Sequence, residues 1–361
     1  MTGRYAKGYR SHRGRRRGSL VLKAIVVVLL LLLVASVLFV VVLGRYVEYT
    51  DAGVRLNLPW MQEPEPAGQA VTDPVVVLTQ TPAPSQSAPT QEQIGAVELT
   101  PQQLAEGTAA QAVAQAGGNA LVVEMKGLSG ALAWVSQSER AAELGVNAQD
   151  GQVAQAVADL AQAGEVYLVA RVSCFRDQAL ASAGVGGPLM TQGGNIWYDS
   201  AGYRWVSPVS DQVRDYLTEL CVELAQMGFD EILLEGAGFP GLGETYVLAT
   251  AENRPEDRSA PVEDFLEQLT QALAGTGTTL SILAGEETVM GTETLTGLTP
   301  ALLAEYAGRV WVTLPAQGEE AYVQALEQAG MEEARQRLVS LGGARTDGSW
   351  TTLDDLGGAE T

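Results

Sequence analysis

The chain is 361 residues long, with 43 Asp and Glu against 22 Lys and Arg and a formal net charge of −21. Its one histidine, His12, lies in a basic N-terminal segment, which excludes Ser-His-Asp and Cys-His catalysis and any histidine-bearing zinc site from the remainder of the chain. Beyond Arg45 the balance is 13 Lys and Arg against all 43 Asp and Glu, or −30, a surface that repels nucleic acid.

Residues 1–23 hold eight Lys and Arg and no acid. Residues 24–44 are uncharged and almost wholly apolar. At ~1.5 Å per residue this run spans the ~30 Å hydrocarbon core of a bilayer. It exceeds the ~7–15-residue core of a cleaved signal peptide, and Arg45 follows it at once. The pattern predicts a single-pass helix in the cell membrane, with 1–23 as a cytoplasmic tail and everything after Arg45 extracytoplasmic. The arginines from Arg13 to Arg17 then read as a topology signal touching anionic lipid rather than as a nucleic-acid patch.

Residues 45–94 predict an extracytoplasmic stalk. A short extension over 46–58 leads into a stretch with seven prolines between Pro59 and Pro89, separated by Ala, Ser, Gln and Thr. That composition favours an extended spacer.

From 95 to 345 apolar runs alternate with amphipathic ones. Strands are predicted at 96–99, 119–126, 165–173, 230–235, 278–284, 309–314 and 337–341. Helices are predicted near 101–116, 151–163, 211–227, 261–274, 299–306 and 319–329. Thr100-Pro101 and Thr299-Pro300 mark helix starts, and Gly228 marks a helix end. Short apolar strands between helices predict an α/β fold with a parallel sheet: a (β/α)8 TIM-like barrel, complete or short of one strand, or else an open doubly wound sheet. No Gly-x-Gly-x-x-Gly follows the first strand, and no phosphate-binding glycine loop occurs, so no cofactor is expected. Residues 346–361 read as an acidic C-terminal tail. Cys174 and Cys221 form no short metal-binding pair; they are either one disulfide or two small buried side chains.

Charged residues at strand ends are the chemical signal. With period two, Glu124 and Lys126 share a face at the end of one strand, Arg171 and Ser173 at the end of the next, and Glu235 ends the fourth. Barrel enzymes place their chemistry at this end. Glu124 and Glu235 are the candidate catalytic carboxylates for glycosidic bond cleavage, with Lys126 and Arg171 tuning their charge and binding sugar hydroxyls. The competing reading is a charge-balanced network that fills the barrel end. Asp177 and Asp199 are further candidates for substrate contact, or else a cap and a turn residue. Trp197 and Trp205, with Tyr198 and Tyr203, either stack on sugar rings or pin a long loop over the barrel. No metal site is expected.

Four segments carry a family resemblance. They are V-E-M-K-G-L-S-G from Val123, A-R-V-S-C-F-R-D from Ala170, I-W-Y-D-S-A-G-Y-R-W-V-S-P from Ile196 and M-G-F-D-E-I-L-L-E-G-A-G-F-P from Met227. Over roughly 95–343 the chain resembles a bacterial family of glycoside-hydrolase-like TIM-barrel proteins, whose corresponding motifs read V-D-V-K-D-D-S-G, A-R-I-V-x-F-K-D and G-F-D-E-I-Q-F-D-Y-V-R-F-P. The resemblance retains Lys126 and puts Glu124 and Glu235 at aspartate positions. Gly127 and Leu128 replace two aspartates, Gly236 and Gly238 replace Tyr and Arg, and Ser207 replaces an Asp. It implies a membrane-anchored glycoside hydrolase acting on an envelope or extracellular polysaccharide. The departures imply the alternative, a catalytically degenerate barrel that binds glycan or serves as an envelope scaffold.

Overall fold

The computed structural model describes residues 47–50, 53–56, 93–241, 248, 255–292, 295–315 and 318–353. The expected basic tail, the membrane helix over 24–44, most of the stalk and residues 354–361 lie outside these. Among the described residues no helix is long and apolar enough to cross a membrane. The chain divides into two units, Met1–Val77 and Leu78–Thr361. In the first, Val47–Thr50 and Gly53–Leu56 pair as an antiparallel hairpin within the expected extension.

The second unit is a closed barrel of eight parallel strands. They are β1 (Gly95–Leu99), β2 (Ala120–Lys126), β3 (Tyr167–Ser173), β4 (Glu231–Glu235), β5 (Thr279–Leu283), β6 (Val310–Val312), β7 (Leu338–Ser340) and β8 (Ser349–Thr351). Each strand pairs with its neighbour in sequence, and β8 pairs with both β7 and β1 to close the ring. The open-sheet alternative is thereby excluded. The closing strand comes from the segment read as an acidic tail. It follows β7 through a loop without a helix, so the sequence pattern of strand then amphipathic helix is missing there.

Side-chain alternation sorts the core into two layers. Ala96, Ala120, Val122, Val169, Leu233, Leu283, Trp311 and Val339 fill the barrel interior. The intervening residues, among them Leu121, Val123, Leu168, Val172, Ile232 and Leu234, pack outward against the helices. The long helices Gln152–Ala163, Asp211–Met227 and Ser259–Leu273 present their apolar stripes to that outer face. The helix Pro101–Ala105 starts with a capping box: Thr100 accepts from the Gln103 backbone N–H at 3.2 Å, and the Gln103 side chain accepts from the Thr100 N–H at 3.0 Å.

At the N-terminal end of the barrel, a polar group is sealed inside. Glu231, the first residue of β4, and Arg309, just before β6, are both fully buried and form an ion pair. The Tyr167 hydroxyl and the Trp311 indole N–H also donate to Glu231, at 3.1 and 2.9 Å. The carboxylate is satisfied on both oxygens, which is what a charge in a low-dielectric interior requires. Burial, reinforced by the Glu231 charge, pushes the Tyr167 hydroxyl well above its ordinary range.

Candidate functional site

The opposite, C-terminal end is built differently. Interior positions follow the apolar ones by two residues: Glu98 after Ala96 on β1, Glu124 after Val122 on β2, Arg171 after Val169 on β3 and Glu235 after Leu233 on β4. Arg171 lies at their centre. Its Nη1 binds Glu235 Oε2 at 2.9 Å. Its Nη2 binds both Glu124 Oε2 at 2.9 Å and Glu98 Oε1 at 3.1 Å. Glu124 and Glu235 therefore meet on one face at one end of the barrel. Two such bonds to the terminal nitrogens of a single planar guanidinium cap the separation of the bonded oxygens at about 8 Å.

The three carboxylates differ in their access to water. The Glu235 side chain is 7% exposed, Glu98 33% and Glu124 42%. Burial lifts the Glu235 carboxyl above the ordinary glutamate range, Arg171 pulls it back, and Glu124 adds to the rise. Gly127 leaves room for Glu124: a Cβ at position 127 would lie 2.8 Å from Glu124 Oε1, and the carboxylate would have to shift. Gly238 has a comparable reason, since a Cβ there would come within 2.3 Å of the Thr296 carbonyl oxygen. That carbonyl accepts from the Phe239 N–H at 2.8 Å and holds the loop after β4.

Lys126 does not join this group. The β2–β3 register shifts between Glu124 and Lys126, so Glu124 lies opposite Arg171 but Lys126 lies opposite Val172. The irregularity turns Lys126 to the outer face, where it is fully buried. Its Nζ binds Asp177 at 2.7 Å and the Ser173 carbonyl at 2.6 Å. Asp177 is buried as well, and its other oxygen caps the helix Gln178–Ala183 through the Leu180 N–H. This buried ion pair fixes the turn after β3, in keeping with the cap reading of Asp177.

Asp199, Trp197 and Trp205 are buried as well. Asp199 is 3% exposed, not at an open turn. It accepts from Arg176 Nε at 2.7 Å, from the Trp205 indole at 3.0 Å and from the Ala201 and Tyr203 backbone N–H groups. The Arg176 guanidinium also stacks 4.9 Å from the centre of the Tyr203 ring. Trp197 and Trp205 lie in the outer core at 3% and 1% exposure. They pin the long loop after β3. Tyr198, by contrast, is exposed. Cys174 and Cys221 are free, buried thiols, and burial pushes Cys221 up to about 12.

Sequence reasoning missed Glu98 and Arg176. Glu98 carries the same signal that marked Glu124, a carboxylate near the end of an apolar strand and in phase with its inward residues. Arg176 sits beside Asp177 in a motif that gives no hint of its partner 23 residues on. Among the described residues no group of three His, Cys, Asp or Glu side chains could hold a metal ion.

No curated protein matches the chain. Among solved structures, the glycoside hydrolase domain of PgaB (BpsB) from Bordetella bronchiseptica matches with a TM-score of 0.51 at 11% identity, covering 73% of this chain and 94% of that one. A hypothetical protein from Ruminiclostridium thermocellum matches with a TM-score of 0.45 at 21% identity, covering 52% of this chain and 96% of that one. At such identities the Bordetella match speaks for the barrel fold alone. The sequence itself is more specific: residues 97–290, more than half of the chain, match the family described as "Putative glycosyl hydrolase domain", and the chain belongs to that family.

Proposed function

We propose that the protein is a membrane-anchored glycoside hydrolase acting on an envelope or extracellular polysaccharide. Glu235 is the general acid and Glu124 the nucleophile or base. One observation carries this reading: two carboxylates share the guanidinium of Arg171 but differ sharply in burial. Glycosidases need one carboxyl held protonated and one ionised, and contrasting surroundings are how a protein separates them. Buried Glu235, with its raised pKa, suits the proton donor. Half-exposed Glu124, paired with Arg171, suits the nucleophile or base. The upper limit of about 8 Å is compatible with the roughly 5–5.5 Å spacing of retaining enzymes and with the shorter part of the inverting range. Family membership and the barrel add support. The apolar run at 24–44 and its basic flank support anchoring with the N-terminus cytoplasmic and the barrel outside.

The second reading, a noncatalytic glycan-binding scaffold, draws on the direct ion pairing of all three carboxylates to Arg171. Release of reducing ends from a panel of envelope and extracellular polysaccharides by the full-length chain, and its loss in Glu235→Gln, separates the two. Glycan binding without cleavage, unchanged by Glu235→Gln, rules out the hydrolase.

A further inference from the structure

Glu98 has no place in a two-carboxylate mechanism, yet it reaches the same guanidinium nitrogen as Glu124. Nη2 of Arg171 stands 3.1 Å from Glu98 and 2.9 Å from Glu124. One positive charge therefore faces three acids from three different strands. Whatever hold Glu98 has on Arg171 is withdrawn from Glu124 and Glu235, because a cation shared among several anions stabilises each less than it would alone.

The position of Glu98 is itself fixed by barrel closure. Its backbone N–H donates to Thr352 Oγ1 at 2.8 Å, just beyond β8. Its side chain is one-third exposed, so water solvates its carboxylate more freely than that of nearly sealed Glu235.

We propose that Glu98 is a positioning residue that acts through Arg171, setting how much of the guanidinium's charge Glu124 and Glu235 receive and so keeping the Glu235 proton available for transfer. The inference rests on the hydrolase reading for its kinetic consequence, not for its electrostatic one. Among the described residues, the charged groups around Glu235 come from several elements. Glu98, Glu124 and Arg171 come from β1 to β3. Arg176 of the following loop adds a weaker attraction and is itself held by Asp199. Lys126 is committed to Asp177 on the outer face. The thiol of Cys174 is kept neutral by burial. From β5, β6 and β7 the interior receives Leu283, Trp311 and Val339, none of which titrates in this range.

The test compares Glu98→Gln with Glu98→Asp in the full-length chain. Glutamine keeps an oxygen for Arg171 Nη2 but loses the charge; aspartate keeps the charge. With Glu98→Gln the basic limb of the pH–rate profile is expected to move to lower pH by about one unit, since Arg171 then favours ionised Glu235 more strongly. Glu98→Asp is expected to leave the limb within a few tenths of a unit. A parallel titration of the Glu235 carboxyl by carbon-13 NMR, assigned by its disappearance in Glu235→Gln, is expected to show the same downward shift. An unmoved Glu235 titration in Glu98→Gln, or an equal shift in Glu98→Asp, overturns the proposal. The NMR titration needs no turnover, so a wild-type chain that cleaves no glycan defeats the hydrolase reading while leaving the role of Glu98 to be decided by the titration.

Discussion

The barrel carries an ionic group at each end, and the two are built to opposite specifications. At the N-terminal end one acid meets one base, and three donors satisfy Glu231 out of reach of water. At the C-terminal end one base meets three acids, with exposures graded from nearly sealed to almost half open. A neutral, closed group specifies packing and leaves nothing over for a ligand. A group with excess acid, one member buried and others wet, carries more negative groups than its single guanidinium balances. The same residue types thus serve structure at one end and, in our reading, chemistry at the other; what differs is stoichiometry and access.

The contrast is most easily broken at Glu235. Glu235→Gln is expected to lower turnover by about 10²–10⁴-fold, the usual contribution of a general acid, while the thermal midpoint stays level or rises. Kinetics on the responsive polysaccharide and a melting curve check this together. A variant that kept its activity would make the two ends alike. At the other end, Arg309→Leu strands the buried Glu231 charge. The expected cost is about 3–5 kcal/mol of stability in urea unfolding, with little change in turnover for the fraction that remains folded. A loss of activity larger than the loss of folded protein would show that the closed end also serves the reaction.

Acidity sharpens the comparison further. The folded Glu235 carboxyl sits above its unfolded value, so the unfolded chain releases this proton first as pH rises. The contribution of Glu235 to stability is complete below the ordinary glutamate value, near 4.3, and is lost as pH climbs through the raised one. Unfolding free energies of the wild type and Glu235→Gln are therefore expected to run parallel below about pH 4 and to diverge above it, with the wild type falling. Parallel curves throughout would remove the claimed desolvation. The smallest effect is expected from Trp205→Phe, which deletes one indole donor to Asp199 but leaves Arg176 in place. About 1 kcal/mol of stability should go, with unchanged preference among glycans, because this ring is buried inside the loop.

Much of this architecture was legible in the amino-acid order. The first five strands announced themselves as apolar runs bounded by caps and glycines, and the carboxylates Glu124 and Glu235 stood out because charge inside such runs demands a partner. Period two sets Lys126 beside Glu124, but it holds only while the ladder is regular. The register shift after Glu124 reverses the face of the residues beyond it, and no residue type signals it. The last strand, Ser349–Thr351, is three residues long, too short to display any period, and lacks a preceding helix to announce it. Trp197 and Trp205 leave two readings open in the sequence, stacking on sugar or pinning a loop. An aromatic cluster has the same composition whether it faces solvent or a buried aspartate, and only the arrangement of Asp199 and Arg176 decides which. Glu98, finally, was passed over because its strand is short and its purpose is visible only once three neighbouring strands are set beside it.

The hydrogen bond from Glu98 to Thr352 has a consequence in time as well as in space. During synthesis the first strand emerges some 250 residues before the threonine that steadies its end. Until that threonine leaves the ribosome the cylinder has an open seam, and the Arg171 cluster lacks one of its braces. A chain cut short before Ser349 would thus carry every acidic and basic member of the cluster and still lack the strand that closes the ring around them, so the last turn of translation, rather than the supply of the charged side chains, decides when the cluster is complete.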